Sequence, residues 1–195
     1  GAMTTDNNGN LTSAVLTALT SIGTNQGTYV QNGNAGEVPV TLTGPTTVAE
    51  ANAIAGATTG AVTATISQGT MAALTTLTGN ETGHAYTITV TDTTADAGQL
   101  NTINGQTTVA VDLSALTSIT GDHAELTTLY AANNANTPTV TGLGNEALTI
   151  SGDAGGNPLT VTEANTASGW TTGVVTATIE TGALATVNGL SLIHI

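Results

Sequence analysis

The chain has 195 residues, is 39 % hydrophobic and contains no Lys, no Arg and no Cys against 13 Asp and Glu. A formal charge of −13 leaves no cations to neutralise phosphates, so the composition excludes nucleic acid and anionic membrane surfaces as partners. The lack of Cys excludes disulfides and thiolate zinc sites, and no apolar run approaches the roughly 18 residues of a membrane span.

Both ends of the chain differ from the sequence between them. Residues 1–3, "GAM", are typical of the scar left by a cleaved expression tag. Residues 190–195, "LSLIHI", match the translation of a transposon-end sequencing adaptor. We therefore expect residues 4–189 to be the natural sequence and to come from a longer protein.

Residues 4–36 form the first predicted segment. Residues 13–23, "SAVLTALTSIG", have helical spacing of apolar side chains and predict a helix that opens the fold. Residues 6–10, "DNNGN", carry oxygen-bearing side chains and are one candidate for calcium.

The next feature is a repeated phrase. Residues 47–66 and 160–179 agree at 14 of 20 positions, at a separation of 113 residues. A third, more divergent copy occupies residues 95–111, and "MAALTTL" at 71–77 aligns with "HAELTTL" at 123–129. Periods of this size are typical of proteins in which each unit buries its apolar face against the next.

These alignments divide the chain into three repeats. They cover residues 37–84, 85–146 and 147–189, and "DAGGNP" at 153–158 is expected to be an inserted loop.

Two hydrophobic periods alternate along each repeat. Alternation of apolar residues with Thr predicts half-buried strands at Val62–Ile66, Tyr86–Thr91 and Val175–Ile179. Helical spacing predicts short helices carrying the following apolar stripes: Val48, Ala51, Ile54 and Ala55; Ala97, Leu100 and Ile103; Leu126, Leu129 and Tyr130.

The alternation of strands and helices indicates an α/β fold with a parallel sheet. Because the repeats are short, we expect a strand-helix solenoid with a geometry like that of leucine-rich repeats. A parallel β-helix is the alternative, since Thr, Asn and Gly also suit that fold.

Five of the 13 acidic residues have a structural explanation. Paired polar residues three apart stand where helices are predicted to begin, the spacing of a capping box. The pairs are Thr47 and Glu50, Asp96 and Gln99, Asp122 and Glu125, and Thr160 and Glu163. We therefore interpret these carboxylates as helix caps and not as general acids or bases.

Other candidate sites are less complete. Asp92, Asp112 and Asp153 stand near strand ends beside Asn and Thr, which makes them the calcium candidates of the sequence. "GLGNEA" at 142–147 loosely matches a dinucleotide motif, but a strand-like segment follows it, so Gly142 and Gly144 are interpreted as turn residues. His84 and His123 are isolated, which predicts packing or surface roles. We expect no enzymatic activity and no other cofactor.

Residues 88–121 and 141–153 resemble repeat modules in very large surface or secreted proteins of marine and cyanobacterial origin. The likeness extends over most of residues 37–189. It implies an extracellular or cell-surface location and an adhesin-like or surface-layer-like role, with neighbouring repeats of the parent protein as partners.

Two functions follow as expectations. The first is a structural repeat module, a spacer or scaffold in such a protein. The alternative is a binding module that uses a Thr-rich sheet face to contact polysaccharide or ice, through Thr63, Thr65, Thr87, Thr89, Thr91, Thr176 and Thr178.

Overall fold

The computed structural model describes residues 27–29, 39–56, 60–78 and 83–181. The helix expected at 13–23, the calcium candidate at 6–10 and both chain ends lie outside the described residues. The chain divides into two compact units. Unit 1 takes the described residues up to Thr89 together with Ile103–Val111, and unit 2 takes Val90–Thr102 together with the described residues from Asp112 onward.

Unit 1 alternates strands with short helices. Its elements are β1 (Gly27–Tyr29), β2 (Val40–Thr46), α1 (Val48–Ala55), β3 (Val62–Ile66), α2 (Met71–Leu74) and β4 (Ala85–Thr87). The sheet order is β1-β2-β3-β4, in which β1 pairs antiparallel with β2 and the remaining pairs are parallel.

The core of unit 1 follows the predicted periods. Val62, Ala64 and Ile66 of β3 are buried while the intervening Thr63 and Thr65 are exposed. Helix α1 buries the stripe Val48, Ala51 and Ile54. Burying one large aliphatic side chain of this kind stabilises a fold by about 1.5–3 kcal/mol, so the period-2 strand and the helical stripe together account for the docking of α1.

Unit 2 repeats the same alternation over a second sheet. Its elements are β5 (Thr94–Asp96), α3 (Ala97–Asn104, whose last two residues belong to unit 1), β6 (Val111–Asp112, whose first residue belongs to unit 1), β7 (Ser118–Gly121), α4 (His123–Asn133), β8 (Val140–Thr141), β9 (Ala147–Ile150), α5 (Val161–Ser168) and β10 (Val175–Ala177). The main sheet has the order β10-β9-β7-β5 and is parallel throughout, and β6 pairs with β8 separately.

The core of unit 2 is aliphatic, as the composition predicts. Ile119 and Leu148 lie opposite each other on β7 and β9 and are fully buried. Helix α4 buries Leu126, Leu129 and Tyr130, the stripe predicted from their spacing.

Three local features differ from the sequence-based expectation. Helix α2 is only four residues long, whereas α4, its counterpart in the alignment, has 11. Strand β4 ends at Thr87, although burial continues to alternate through Val90. Val175 is only half-buried, because β10 stands last in the described sheet and has a strand on one side of it.

The α/β class, with parallel sheets in which strands and helices alternate, is confirmed. The alternative of a parallel β-helix built of strands alone is wrong for the described residues. Helices α1 and α5 stand between strands at the two places where the repeated phrase begins.

Candidate functional site

The carboxylates at helix starts cap those helices, as predicted. Thr47 accepts a hydrogen bond from the Glu50 N–H at 3.2 Å, and the Thr47 N–H donates back to the Glu50 carboxylate at 2.8 Å. Thr160 and Glu163 repeat both bonds in α5, and Asp122 and Glu125 form the third capping box in α4. These reciprocal bonds satisfy N–H groups that the first helical turn leaves without partners.

The fourth predicted pair makes the first half of this arrangement. Asp96 accepts from the Gln99 N–H at 3.1 Å at the start of α3. At all four helix starts, an acidic side chain accepts a hydrogen bond from a backbone N–H of the same helix start.

The three calcium candidates occupy different parts of unit 2. Asp112 lies in β6 and accepts from the Ser114 N–H, while Asp92 precedes β5. Asp153 organises the inserted loop: it accepts the Asn157 and Gly155 N–H groups, each at 2.8 Å. The Asn157 backbone bond is the main reason that the pKa of Asp153 is lowered.

No group of three or more His, Asp or Glu side chains is arranged to hold a metal ion within the described part of the chain. Calcium binding by Asp92, Asp112 or Asp153 therefore stays a prediction.

A buried carboxylate that the sequence analysis did not assign lies at the start of β9. Glu146 is 0 % exposed and accepts from the Gly144 N–H at 2.8 Å, the Asn145 N–H at 3.0 Å and the Tyr130 hydroxyl. Gly144 reaches this position with a φ of +134°, and Gly142 precedes it with a φ of +91°. Both glycines are turn residues followed by a strand, as predicted.

Tyr130, which bonds to this buried acid, belongs to a group of three aromatic rings. The Tyr130 ring stacks on Trp170 with 5.3 Å between centroids and an interplanar angle of 7°. His123, the first residue of α4, packs on Trp170 at the same centroid distance. Tyr130 is fully buried and Trp170 is half-buried, so the stack extends from the core toward the surface.

His123 also approaches the cap of α5. Its Nδ1 lies 3.9 Å from the Glu163 carboxylate, and its Nε2 is buried without a hydrogen-bond partner among the described residues. The bonds from Thr160 lower the pKa of Glu163, its backbone N–H contributing most. The predicted packing role of His123 agrees with this arrangement.

His84 is buried in unit 1, at 2 % exposure. Its Nδ1 accepts from the Val62 N–H at 2.9 Å, and its ring packs against Tyr86 with 5.2 Å between centroids. Burial lowers the pKa of His84. Packing was predicted for this residue, but its role as an acceptor for the first residue of β3 was not.

Asparagines link successive elements along the chain. The Asn52 side chain donates to the Thr76 carbonyl at 2.7 Å and accepts from the Thr78 N–H at 2.9 Å. Asn101, its counterpart in the third copy, donates to the Glu125 carbonyl at 2.9 Å. Both amides thus reach a residue 24 positions further along the chain, within their own units.

Exposed threonines form short rows on both sheets. In unit 1, Thr65 lies opposite Thr87 on the neighbouring strand. In unit 2, Thr149 lies between Thr120 and Thr176 in register across three strands. All of the threonines predicted for such a face are exposed: Thr63, Thr65, Thr87, Thr89, Thr91, Thr176 and Thr178.

The hydroxyls of the three-strand row in unit 2 differ from those of several other threonines. Within the described residues, the Thr120, Thr149 and Thr176 hydroxyls make no hydrogen bond to protein. By contrast, Thr128 on α4 donates to the Ala124 carbonyl and Thr117 donates to the Thr93 carbonyl. The sheet faces therefore present hydroxyl groups to solvent.

Comparison with protein-family models, curated proteins and solved structures finds no significant match to this chain. None of the helices in the described residues is long and apolar enough to cross a membrane.

Proposed function

We propose that this chain is a structural repeat module, a spacer or scaffold in a large extracellular bacterial surface or adhesin-like protein. In this proposal its strand-helix pairs continue as a solenoid with a geometry like that of leucine-rich repeats. The observation that carries the proposal is the pair of asparagine links, from Asn52 to Thr76 and from Asn101 to Glu125.

The links support a structural role because each satisfies a backbone carbonyl 24 residues further along the chain, in or beside the next helix. A repeat bound mainly to its neighbours gives a fold whose length grows with the number of copies. The capping boxes of Glu50 and Glu163 also support a structural role. Their carboxylates are bonded to the helix starts, whereas a catalytic site would need them free.

The extracellular location is supported by charge. With 13 acidic residues and no Lys or Arg, side-chain ion pairs with these cations cannot form, and repulsion among the carboxylates must be screened by salt. A saline exterior supplies that screening, and neighbouring repeats of the parent protein are the expected partners.

The test of this proposal is how the maximum dimension of the molecule increases with the number of tandem copies. Two copies of residues 4–189 joined in tandem should have nearly twice the maximum dimension of one copy in small-angle X-ray scattering. A compact globular arrangement would increase the radius of gyration only about 1.3-fold, from the scaling of compact chains, and would contradict the proposal.

The free hydroxyls favour a second candidate function, binding of polysaccharide or ice by the threonine rows. Thr120, Thr149 and Thr176 stand on adjacent strands at a spacing of about 4.8 Å. Glycan arrays and thermal hysteresis measurements should then detect binding that Thr149→Val abolishes.

Thr128→Val is the matched control, because its exposed hydroxyl is bonded to the helix and lies off the sheet. Equal binding by both variants, or no binding by the unaltered protein, would exclude the threonine rows and leave the scaffold function.

A further inference from the structure

Strand β10 forms one edge of the sheet of unit 2, and within the described residues it pairs with β9 alone. Alternate residues of a parallel strand direct their N–H and C=O groups to opposite sides. The Leu148 N–H donates to the Val174 carbonyl, so the backbone of Val174 faces β9. It follows that the backbone of Thr176 also faces β9, whereas the N–H groups of Val175 and Ala177 point away from it.

This outer edge is open to the addition of a strand. In the described part of the chain, the outward N–H groups of Val175 and Ala177 have no hydrogen-bond partner. Residues 174–179, "VVTATI", also contain no Pro, no Gly and no charge, which are the features that keep sheet edges apart. A short neutral segment of high β-propensity pairs readily with another strand.

The core beneath this edge is incompletely covered. Val175, Ala177 and Ile179 continue the apolar alternation but are only half-buried, whereas their counterparts in β3 are all buried. On the other face, Val174 is 61 % exposed. Apolar side chains on both faces of the edge are therefore accessible to a partner.

The repeated phrase indicates what covers such an edge. At the separation of 113 residues, β10 occupies the place that β3 has in the first copy. On the side of β3 away from β2, β4 adds as a parallel strand with Tyr86 opposite Ala64, and Tyr86 is fully buried there. The corresponding partner of β10 is a parallel strand that places a large side chain opposite Ala177.

The charge distribution favours a partner of this kind. Residues 85–91, "AYTITVT", which contain β4 and the apolar alternation after it, carry no charge, and neither do residues 174–179. The chain as a whole has 13 acidic residues and no Lys or Arg. Two acidic modules would therefore meet through neutral strands, where repulsion between carboxylates is smallest.

We propose that β10 is the docking strand for the next repeat of the parent protein: a strand of the β4 type adds in parallel to its outer edge and continues the sheet of unit 2. This role rests on the proposed scaffold function and identifies the residues at the joint between two repeats. Main-chain hydrogen bonds to Val175 and Ala177 give the affinity, and the large side chain opposite Ala177 gives the specificity.

Hydrogen exchange by NMR on an extended chain tests the proposal. The full chain receives, at its C-terminus, a flexible Gly/Ser linker and a second copy of residues 85–91, at an effective concentration on the order of millimolar. The Val175 and Ala177 amides should then exchange more slowly, by about tenfold when that concentration is about ten times the dissociation constant. The Leu148 amide, already bonded to the Val174 carbonyl, should not change.

Two controls distinguish strand docking from non-specific contact. An extension in which residues 85–91 are scrambled, so that apolar residues no longer alternate, should give no slowing. Ala177→Pro removes an outward N–H but no bond to β9, a position at which an edge strand tolerates proline. In the extended chain this variant should abolish the slowing at Val175, while unchanged exchange of the Leu148 amide shows that the sheet is intact.

Unchanged exchange at Val175 and Ala177 in the extended chain, equal slowing with the scrambled extension, or slowing that survives Ala177→Pro would overturn the proposal. If Ala177→Pro does not fold, the scrambled extension decides alone. The scattering test of tandem copies is independent of this measurement. An elongated tandem molecule without slowing at β10 would keep the scaffold function and reject β10 as the joint, whereas slowing together with a compact tandem molecule would keep strand docking and reject the scaffold.

Discussion

At the scale of single residues, the most unusual group is Glu146. A carboxylate with 0 % exposure normally needs a cation nearby, and this chain has no Lys or Arg to supply one. Two backbone N–H groups and the Tyr130 hydroxyl take that place. These donors give both carboxyl oxygens of Glu146 a hydrogen-bond partner inside the core.

Replacing Glu146 by Gln should destabilise unit 2. The amide has nearly the same shape, but its NH₂ group would face the Gly144 N–H, the Asn145 N–H or the Tyr130 hydroxyl, and a buried donor would lose its acceptor. We expect Glu146→Gln to lower the free energy of unfolding by about 1–3 kcal/mol in urea denaturation.

The control for this prediction is Glu180→Gln, which removes the same charge from an exposed residue. It should change stability by less than about 0.5 kcal/mol, as is usual for surface substitutions. Equal effects of the two variants would show that net charge, and not the buried hydrogen bonds, determines the outcome.

Glu146 also shows where the sequence was insufficient. Capping boxes are visible because they need only a three-residue spacing, so Glu50, Glu125 and Glu163 could be assigned from sequence. Glu146 is held by donors two positions before it in a glycine turn and by Tyr130, 16 residues away. The sequence offered one weak indication of the role of Glu146: this residue directly precedes a predicted strand and has no helix to cap.

At the scale of secondary-structure elements, helix capping gives the most direct test. Thr47→Ala removes the side chain that accepts the Glu50 N–H, and it also removes the hydroxyl that donates to the Glu50 carboxylate at 2.9 Å. We expect a loss of about 1 kcal/mol in the free energy of unfolding, measured by chemical denaturation.

Thr70→Ala is the matched control, because Thr70 is the N-cap of α2 and makes no side-chain capping bond. Thr63→Ala, on the exposed face of β3, is the second control, and each should cost only a few tenths of a kcal/mol. A cost at Thr70 as large as that at Thr47 would mean that backbone conformation, and not the capping bond, limits helix stability.

Elements were more predictable than their lengths. The alternation of Val62, Ala64 and Ile66 with threonines locates β3, because a strand with one buried face imposes a period of two. The shortness of α2 was not visible, since "MAALTTL" and "HAELTTL" differ little in sequence. The two helices differ where they begin: Asp122 and Glu125 cap α4 reciprocally, whereas the Thr70 side chain makes no cap bond.

At the scale of the whole molecule, charge is the dominant feature. A formal charge of −13 with no Lys or Arg means that long-range electrostatics is almost entirely repulsive. The folded state brings these charges closer together than the unfolded chain does, so repulsion opposes folding. Salt should reduce this opposition, because the Debye length falls from about 30 Å at 0.01 M to about 4 Å near 0.5 M.

We therefore expect the melting temperature to rise between about 0.01 and 0.5 M NaCl, which differential scanning calorimetry measures directly. Glu180→Gln, which removes one exposed charge, should show a slightly smaller rise. A melting temperature that stays flat or falls with NaCl would mean that carboxylate repulsion does not limit the stability of the fold, and the argument for a saline exterior would lose its physical basis.

CaCl₂ at the same ionic strength separates screening by salt from binding of calcium. An increase in melting temperature beyond that produced by NaCl and MgCl₂ would indicate a calcium site. Asp153→Asn or Asp112→Asn should then remove that additional increase.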